Sequence, residues 1–134
     1  MTELWPRAVL AILLLAGAPL AAQDRPAKGE AELAEMLAGR VAGSPVDCIS
    51  DSDARSMQIV DGTAFVFGRG RTLYVNRPAS PAMLDDSDLP VFEKWGSQLC
   101  RLDHVELRDR LSHIGGPTVF LDSFVPYSRP SLDR

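Results

Sequence analysis

The sequence predicts a mainly β protein: a small barrel-like or rolled antiparallel sheet of about six short strands, with one N-terminal amphipathic helix. Apolar residues recur at helical spacing in residues 30–40, whereas the chain from Val46 onward has the alternation and short apolar runs of strands. Ten glycines and ten prolines in no periodic arrangement favour a fold with many turns. Rolling or closing such a sheet would hide its edges.

The composition is that of a globular protein. Of the 134 residues, 46% are hydrophobic and 24% are charged, and the net charge is −4. This balance excludes a disordered acidic tail and a basic nucleic-acid-binding protein. We therefore expect no nucleic acid among its partners.

Residues 1–22 have the layout of a secretory signal peptide. Arg7 precedes an uncharged apolar run, residues 8–22, that ends in small residues. The run has fifteen residues, whereas a membrane-spanning helix needs about 20. We expect cleavage after Ala22, with cleavage after Ala21 as the close alternative. The mature protein is then periplasmic or secreted and has no stable membrane span; a retained membrane anchor is the other possibility.

The mature chain divides into three parts. A polar segment, residues 23–29, is expected to be flexible, residues 30–127 form the single β-rich domain, and residues 128–134 form a polar tail. The domain begins with the predicted helix, residues 30–40, in which acidic residues come early and Arg40 comes late. That order suits the helix dipole.

Three strands joined by two tight turns are predicted between residues 56 and 76. Asp61-Gly62 is a strong hairpin signal, and Gly68-Arg69-Gly70 turns the chain a second time. Residues 77–90, which contain three prolines, are predicted to be a loop. Further strands are predicted at residues 46–49, 91–95, 104–109 and 118–125.

Cys48 and Cys100 are the only cysteines. In an oxidising compartment an even number of cysteines in a small domain favours a disulfide. The bridge would close a loop of about 50 residues, which contributes about 4 kcal/mol in the chain-entropy description. The alternatives are two separately buried thiols or a redox-active or metal-binding pair, which the absence of Cys-x-x-Cys disfavours.

Arg69, Arg71, Tyr74 and Arg77 are the candidate binding face. They lie close in sequence around the second predicted hairpin, and arginine forks beside an aromatic ring can bind an anion, a phosphate or an acidic partner. The competing interpretation is that arginines at a hairpin tip only prevent edge pairing and keep it soluble. If the face binds, its partner is an unknown envelope protein or a small anionic ligand.

Catalytic and metal-binding signals are weak. The sequence has no nucleophile elbow, phosphate-binding loop or zincin motif, so we expect a non-catalytic binding or structural module of the cell envelope. The alternative is a small hydrolase that uses His104 or His113 with a nearby Asp. Asp85, Asp86 and Asp88 offer oxygen ligands for a hard cation, but a solvated turn is the favoured interpretation. No metal and no cofactor is predicted.

Five short motifs follow the signal peptide and span most of the mature chain. They are Val46-Asp47-Cys48-Ile49, Ile59-Val60-Asp61-Gly62-Thr63, Leu73-Tyr74-Val75-Asn76-Arg77, Leu99-Cys100-Arg101-Leu102-Asp103 and Phe124-Val125-Pro126-Tyr127. In this order they resemble a family of small uncharacterised exported bacterial proteins with paired cysteines. None of the motifs is a catalytic signature, so the resemblance implies export and the disulfide, and it implies no activity.

Overall fold

Strands make up most of the regular structure in the computed structural model, which describes residues 21–132. The helices of this part of the chain are α1 (Ala21–Met36) and α2 (Asp51–Ala54), with a 3-10 helix at Pro81–Met83. Its ten strands are β1 (Val41–Ala42), β2 (Cys48–Ile49), β3 (Met57–Val60), β4 (Ala64–Phe67), β5 (Thr72–Asn76), β6 (Leu89–Glu93), β7 (Leu99–Cys100), β8 (His104–Arg108), β9 (Gly115–Phe120) and β10 (Phe124–Ser128).

The strands form three antiparallel sheets. The largest has the order β1-β10-β5-β4-β3, a second has the order β6-β8-β9, and β2 pairs with β7. The mainly β, antiparallel prediction is confirmed. The expected barrel is wrong, because no closed barrel forms within residues 21–132, and the number of strands there is ten rather than about six.

The difference in strand number has local causes. Strands β1 and β7 have two residues each, which is too short for any periodicity to register in the sequence. The apolar segment at residues 118–125, predicted as one strand, contributes to two sheets. It breaks at Asp122, whose backbone N–H and C=O are both bonded by the buried Asn76 side chain, at 3.1 and 2.6 Å.

Both predicted hairpins of the meander are present. Strand β3 pairs with β4 in the register Met57↔Phe67, and β4 pairs with β5. Gly62 has a φ of 60°, and Gly68 and Gly70 have φ values of 94° and 81°. Glycine adopts this left-handed region without the steric cost that other residues meet, so these positions set both turns.

The larger core lies between the five-stranded and three-stranded sheets. Phe67 is its centre: the ring centroids of Phe65, Phe92 and Phe124 lie 6.0, 5.8 and 5.7 Å from that of Phe67. Val105 of strand β8 is also fully buried in this core. The sheets therefore pack face to face on an aromatic layer, which explains why neither closes on itself.

A smaller core lies on the opposite face of the five-stranded sheet, beneath helix α1. Leu33 packs there with Val60, Ala64, Val66 and Val75. Strand β4 is buried on both faces, because its odd-numbered residues point into the larger core and its even-numbered residues point toward the helix. This accounts for the uninterrupted apolar run of that strand.

Helix α1 is displaced from its predicted position. It begins at Ala21 and ends at Met36, so it includes residues 23–29, for which a flexible segment was expected. Tertiary contacts hold this first part. The Arg25 guanidinium donates to the Asp61 carboxylate at 2.6 Å and to the carbonyl of Leu84 at 2.6 Å. The hydrogen bond from Arg25 lowers the pKa of Asp61, which keeps that carboxylate ionised.

Gly29 allows helix α1 to approach the β3–β4 turn, and replacing it tests this packing. A Cβ at this position would lie 2.6 Å from the carbonyl oxygen of Asp61 and would also collide with the Thr63 hydroxyl. Helix propensity alone favours Gly29→Ala by about 1 kcal/mol. We expect the clash to outweigh this gain, so that the free energy of unfolding falls by about 1–2 kcal/mol. Urea denaturation measures the change.

Gly96→Ala is the matched control, because nothing lies within 4 Å of a Cβ built on Gly96. The control should leave the free energy of unfolding within about 0.5 kcal/mol of the unsubstituted protein. A more stable Gly29→Ala protein would contradict the close approach of the helix to this turn.

Candidate anion-binding site at the β4–β5 hairpin

The four residues of the predicted binding face do not share one surface. Arg69 and Arg71 are exposed in the turn between β4 and β5. Tyr74 lies on the face of β5 that packs against the larger core, where it is half-buried. Arg77 follows β5 on the face that carries helix α1. The structure therefore brings two of the four together and separates the other two.

Arg77 is occupied by an ion pair with Glu30 of helix α1. The Arg77 guanidinium donates to both carboxylate oxygens of Glu30, one at 3.0 Å. This hydrogen bonding lowers the pKa of Glu30 and raises the pKa of Arg77. The pair joins the helix to the end of β5, so Arg77 has a structural contact rather than a free charge.

Two further arginines, Arg40 and Arg129, contact the hairpin, and neither was predicted there. The Arg40 guanidinium donates to the carbonyls of Gly70 and Arg71, both at 2.7 Å. The backbone N–H of Arg129 donates to the carbonyl of Arg71 at 3.0 Å, which continues the β10–β5 ladder. Neither contact has a signal in the sequence, because the partners lie 30 or more residues apart along the chain.

We call Arg40, Arg69, Arg71 and Arg129 the hairpin arginines; Arg129 is placed beside the hairpin by its backbone contact alone. None of the ion pairs within residues 21–132 includes any of these four. Arg40 is held by neutral carbonyls, and its Nε is buried without a hydrogen-bond partner. The cluster therefore presents positive charge that no carboxylate of the described chain neutralises.

A cavity of about 390 Å³ opens beside the hairpin arginines, where helix α1 ends above the five-stranded sheet. Its apolar lining consists of Met36, Met57, Val66 and Leu73. Its polar lining includes Arg69 and Arg55, and Arg55 is paired with Asp51 at 3.0 Å. The cavity is thus open to solvent and has a mixed lining, in which apolar side chains lie beside an unpaired guanidinium.

The predicted histidines lie apart from this cavity and do not form the expected pair with an aspartate in the described chain. His104 Nε2 is 2.7 Å from Glu93 Oε2 on the outer face of the three-stranded sheet. His113 lies in the β8–β9 turn, with a φ of 57°. Beside it, the Ser112 hydroxyl donates to Asp109 and not to the imidazole. No nucleophile–base hydrogen bond of the kind that hydrolysis requires joins these groups.

The acidic turn also differs from its predicted grouping. Asp85 and Asp86 group with Asp61, and carboxylate oxygens of these three residues lie within 4.8 Å of one another. The Arg25 guanidinium is bonded to Asp61 and so neutralises part of this cluster. Hydrogen bonds from the Ser87 hydroxyl and N–H lower the pKa of Asp85, as in a turn that closes on its own side chain.

The predicted disulfide is present. Cys48 and Cys100 are cross-strand partners in β2 and β7 and are bonded to each other, so neither thiol is free. A structural disulfide suggests an oxidising, extracellular-type environment. Neither α-helix within residues 21–132 is long and apolar enough to cross a membrane. The predicted signal peptide lies almost entirely outside the described residues.

Comparison of the chain with protein-family models, with curated proteins and with solved structures finds no match.

Proposed function

We propose that this protein is an exported, non-catalytic binding module of the cell envelope that holds a small anionic ligand with an apolar portion. The observation that carries this proposal is the cavity beside the β4–β5 hairpin. Its lining includes four apolar side chains and Arg69, and the hairpin arginines have no carboxylate partner within residues 21–132.

The two kinds of lining make different contributions. Apolar groups that leave water contribute about 25 cal/mol per Å² of buried area, and this term does not depend on charge. An exposed guanidinium adds a smaller, salt-dependent attraction for an anion and determines its orientation. A ligand that is only apolar, or only anionic, makes one of these two contributions and lacks the other. We therefore favour an amphiphilic anion over a simple inorganic one.

The cellular location fits such a ligand. The disulfide and the predicted signal peptide support a periplasmic or secreted protein. Anionic amphiphiles are abundant in that environment, because bilayers are built from them. An acidic surface on an envelope protein is the other source of the same chemistry.

Substitution of the exposed arginines tests the proposal. Laurate has a carboxylate and an apolar chain, and its binding can be followed through displacement of the fluorescent anion 8-anilinonaphthalene-1-sulfonate. We expect the Arg69→Gln/Arg71→Gln protein to bind laurate about fivefold more weakly, because two exposed charge contacts are lost. Its melting temperature should remain nearly unchanged, because both side chains are exposed.

Arg101→Gln is the matched control, since Arg101 is exposed and lies in the turn between β7 and β8, away from the cavity lining. It should bind laurate as the unsubstituted protein does. Dodecanol, which has the same chain without the charge, should bind several-fold more weakly than laurate. Equal affinity for both compounds, or for both arginine variants, would remove the anion-binding role.

A further inference from the structure

Strand β3 forms an edge of the five-stranded sheet, and its outer side pairs with no other strand of the described chain. On the inner side, the N–H of Gly68 donates to the carbonyl of Ser56 immediately before the strand. Because successive residues of an antiparallel strand direct their backbone groups to opposite sides, Met57 and Ile59 direct theirs outward. Four backbone hydrogen-bonding groups therefore face the open edge.

The other long edge strands carry a feature that discourages pairing, whereas β3 does not. Pro90 lies in β6 and Pro117 lies in β9, the two edges of the three-stranded sheet. Proline has no backbone N–H, and proteins use it to block edge strands. Strand β3 consists of Met57, Gln58, Ile59 and Val60 and contains no proline.

A groove of about 320 Å³ runs along this open edge. Glu32 of helix α1 lines the groove on the helix side of the strand. Asp88, Pro90 and Arg110 line it on the side of the three-stranded sheet, whereas Asp86 lines it near the β3–β4 turn, where its carboxylate approaches Asp61. The groove therefore has carboxylates on both sides of the plane in which an added strand would lie.

The charges of this lining do not balance. Three carboxylates face one cation, and Arg110 is already held by the carbonyls of Ser87 and Asp88 at 3.2 and 3.0 Å. Burial, together with the charges of Asp85 and Asp109, raises the pKa of Asp88. A cation that entered the groove would relieve this repulsion.

We propose that the groove binds an extended peptide segment with two adjacent basic residues, which adds to the sheet as a strand beside β3. Main-chain hydrogen bonds to Met57 and Ile59 would hold its backbone. Side chains of neighbouring residues in a strand point to opposite faces. One basic side chain therefore meets Glu32, and the next meets Asp88.

A second copy of this chain fits the edge less well. Pairing of β3 with β3 would bring two grooves with the same net negative charge against each other, and like charges at an interface oppose association. The charge of the groove therefore favours a basic segment of another protein as its occupant.

The test uses the disulfide-bonded protein and a fluorescein-labelled peptide, Thr-Val-Arg-Lys-Val-Thr, with blocked ends. Two further peptides carry N-methyl groups on one or the other alternate set of backbone amides. Fluorescence anisotropy should show that one methylated peptide binds at least tenfold more weakly and the other within threefold of the parent. Strand addition requires this difference, because only one set of amides faces β3. An equal effect of both methylations would overturn the proposal.

Charge variants test the specificity of the groove. Glu32→Gln/Asp88→Asn should weaken binding of the parent peptide about tenfold, near threefold for each carboxylate. Glu35→Gln/Asp47→Asn removes the same charge from exposed positions outside the groove lining and should leave binding unchanged. If both double variants weakened binding equally, net charge alone would explain the effect, and the specific site would be overturned.

Two further measurements distinguish peptide binding at the β3 groove from binding at the anion-binding cavity and from pairing of two copies of the chain. The groove and the cavity share Met57 and Gln58, but neither Arg69 nor Arg71 lines the groove, so Arg69→Gln/Arg71→Gln should bind the peptide normally. Sedimentation velocity should find a monomer at the concentrations used. A dimer that the peptide dissociates would assign the edge to a second copy and overturn the proposal.

Discussion

Replacement of Phe67 by alanine is expected to lower the free energy of unfolding by about 3–5 kcal/mol. Phe67 is fully buried, and its ring contacts aromatic rings from the strands of both packed sheets, Phe92 in β6 and Phe124 in β10. The substitution removes the contact through which the sheets meet and leaves a cavity between them. Rigid strands on both sides limit how far the cavity can collapse. Urea denaturation followed by circular dichroism measures the loss.

Phe120→Ala is the matched control for this substitution. This substitution removes the same number of atoms, but Phe120 is 54% exposed on strand β9. We expect it to change the free energy of unfolding by about 0.5 kcal/mol or less. If the two variants were equally stable, the aromatic layer between the sheets would not be the main core of this protein.

Replacement of both cysteines is the second large effect that we expect. Cys48→Ala/Cys100→Ala should lose about 4 kcal/mol of stability, because the bridge joins residues 52 positions apart and limits the entropy of the unfolded chain. A domain of this size has a free energy of unfolding of about 5–15 kcal/mol in total. The double variant is therefore expected to unfold at a much lower urea concentration.

Reduction provides an independent measurement of the same contribution. Dithiothreitol should lower the urea midpoint of the unsubstituted protein toward that of the double variant, and it should not affect the double variant itself. The strands that carry the cysteines have only two residues each, so few other contacts hold this pair of segments together. An unsubstituted protein that keeps its midpoint after complete reduction would contradict a stabilising role for the bridge.

Only half of the proposed anion-binding site could be predicted from the sequence. Arg69 and Arg71 could be assigned to a hairpin tip, because glycines with positive φ flank Arg69 and the turn is a local feature. Tyr74 and Arg77 lie close to them in sequence, but their side chains belong to different environments, the larger core and the ion pair with Glu30. Proximity along the chain did not indicate a shared surface here.

The sequence by itself determined the two hairpins of the meander, and it favoured the pairing of the two cysteines. These features follow from glycine conformation, from side-chain alternation and from the presence of one possible partner for each thiol. Glycine conformation and side-chain alternation act over a few neighbouring residues, and two cysteines in one chain allow only one pairing. These features can therefore be predicted from the sequence alone.

Only the tertiary structure decided that helix α1 includes residues 23–29, which arginines lie at the hairpin and which edge of the sheet stays open. Gly29 and Pro26 disfavour a helix locally, yet close packing on the β3–β4 turn and the ion pair of Arg25 with Asp61 hold one there. Arg40 and Arg129 reach the hairpin through contacts between distant parts of the chain. Such contacts outweigh local propensity, because packing and paired charges together contribute more free energy than the conformational preference of one residue.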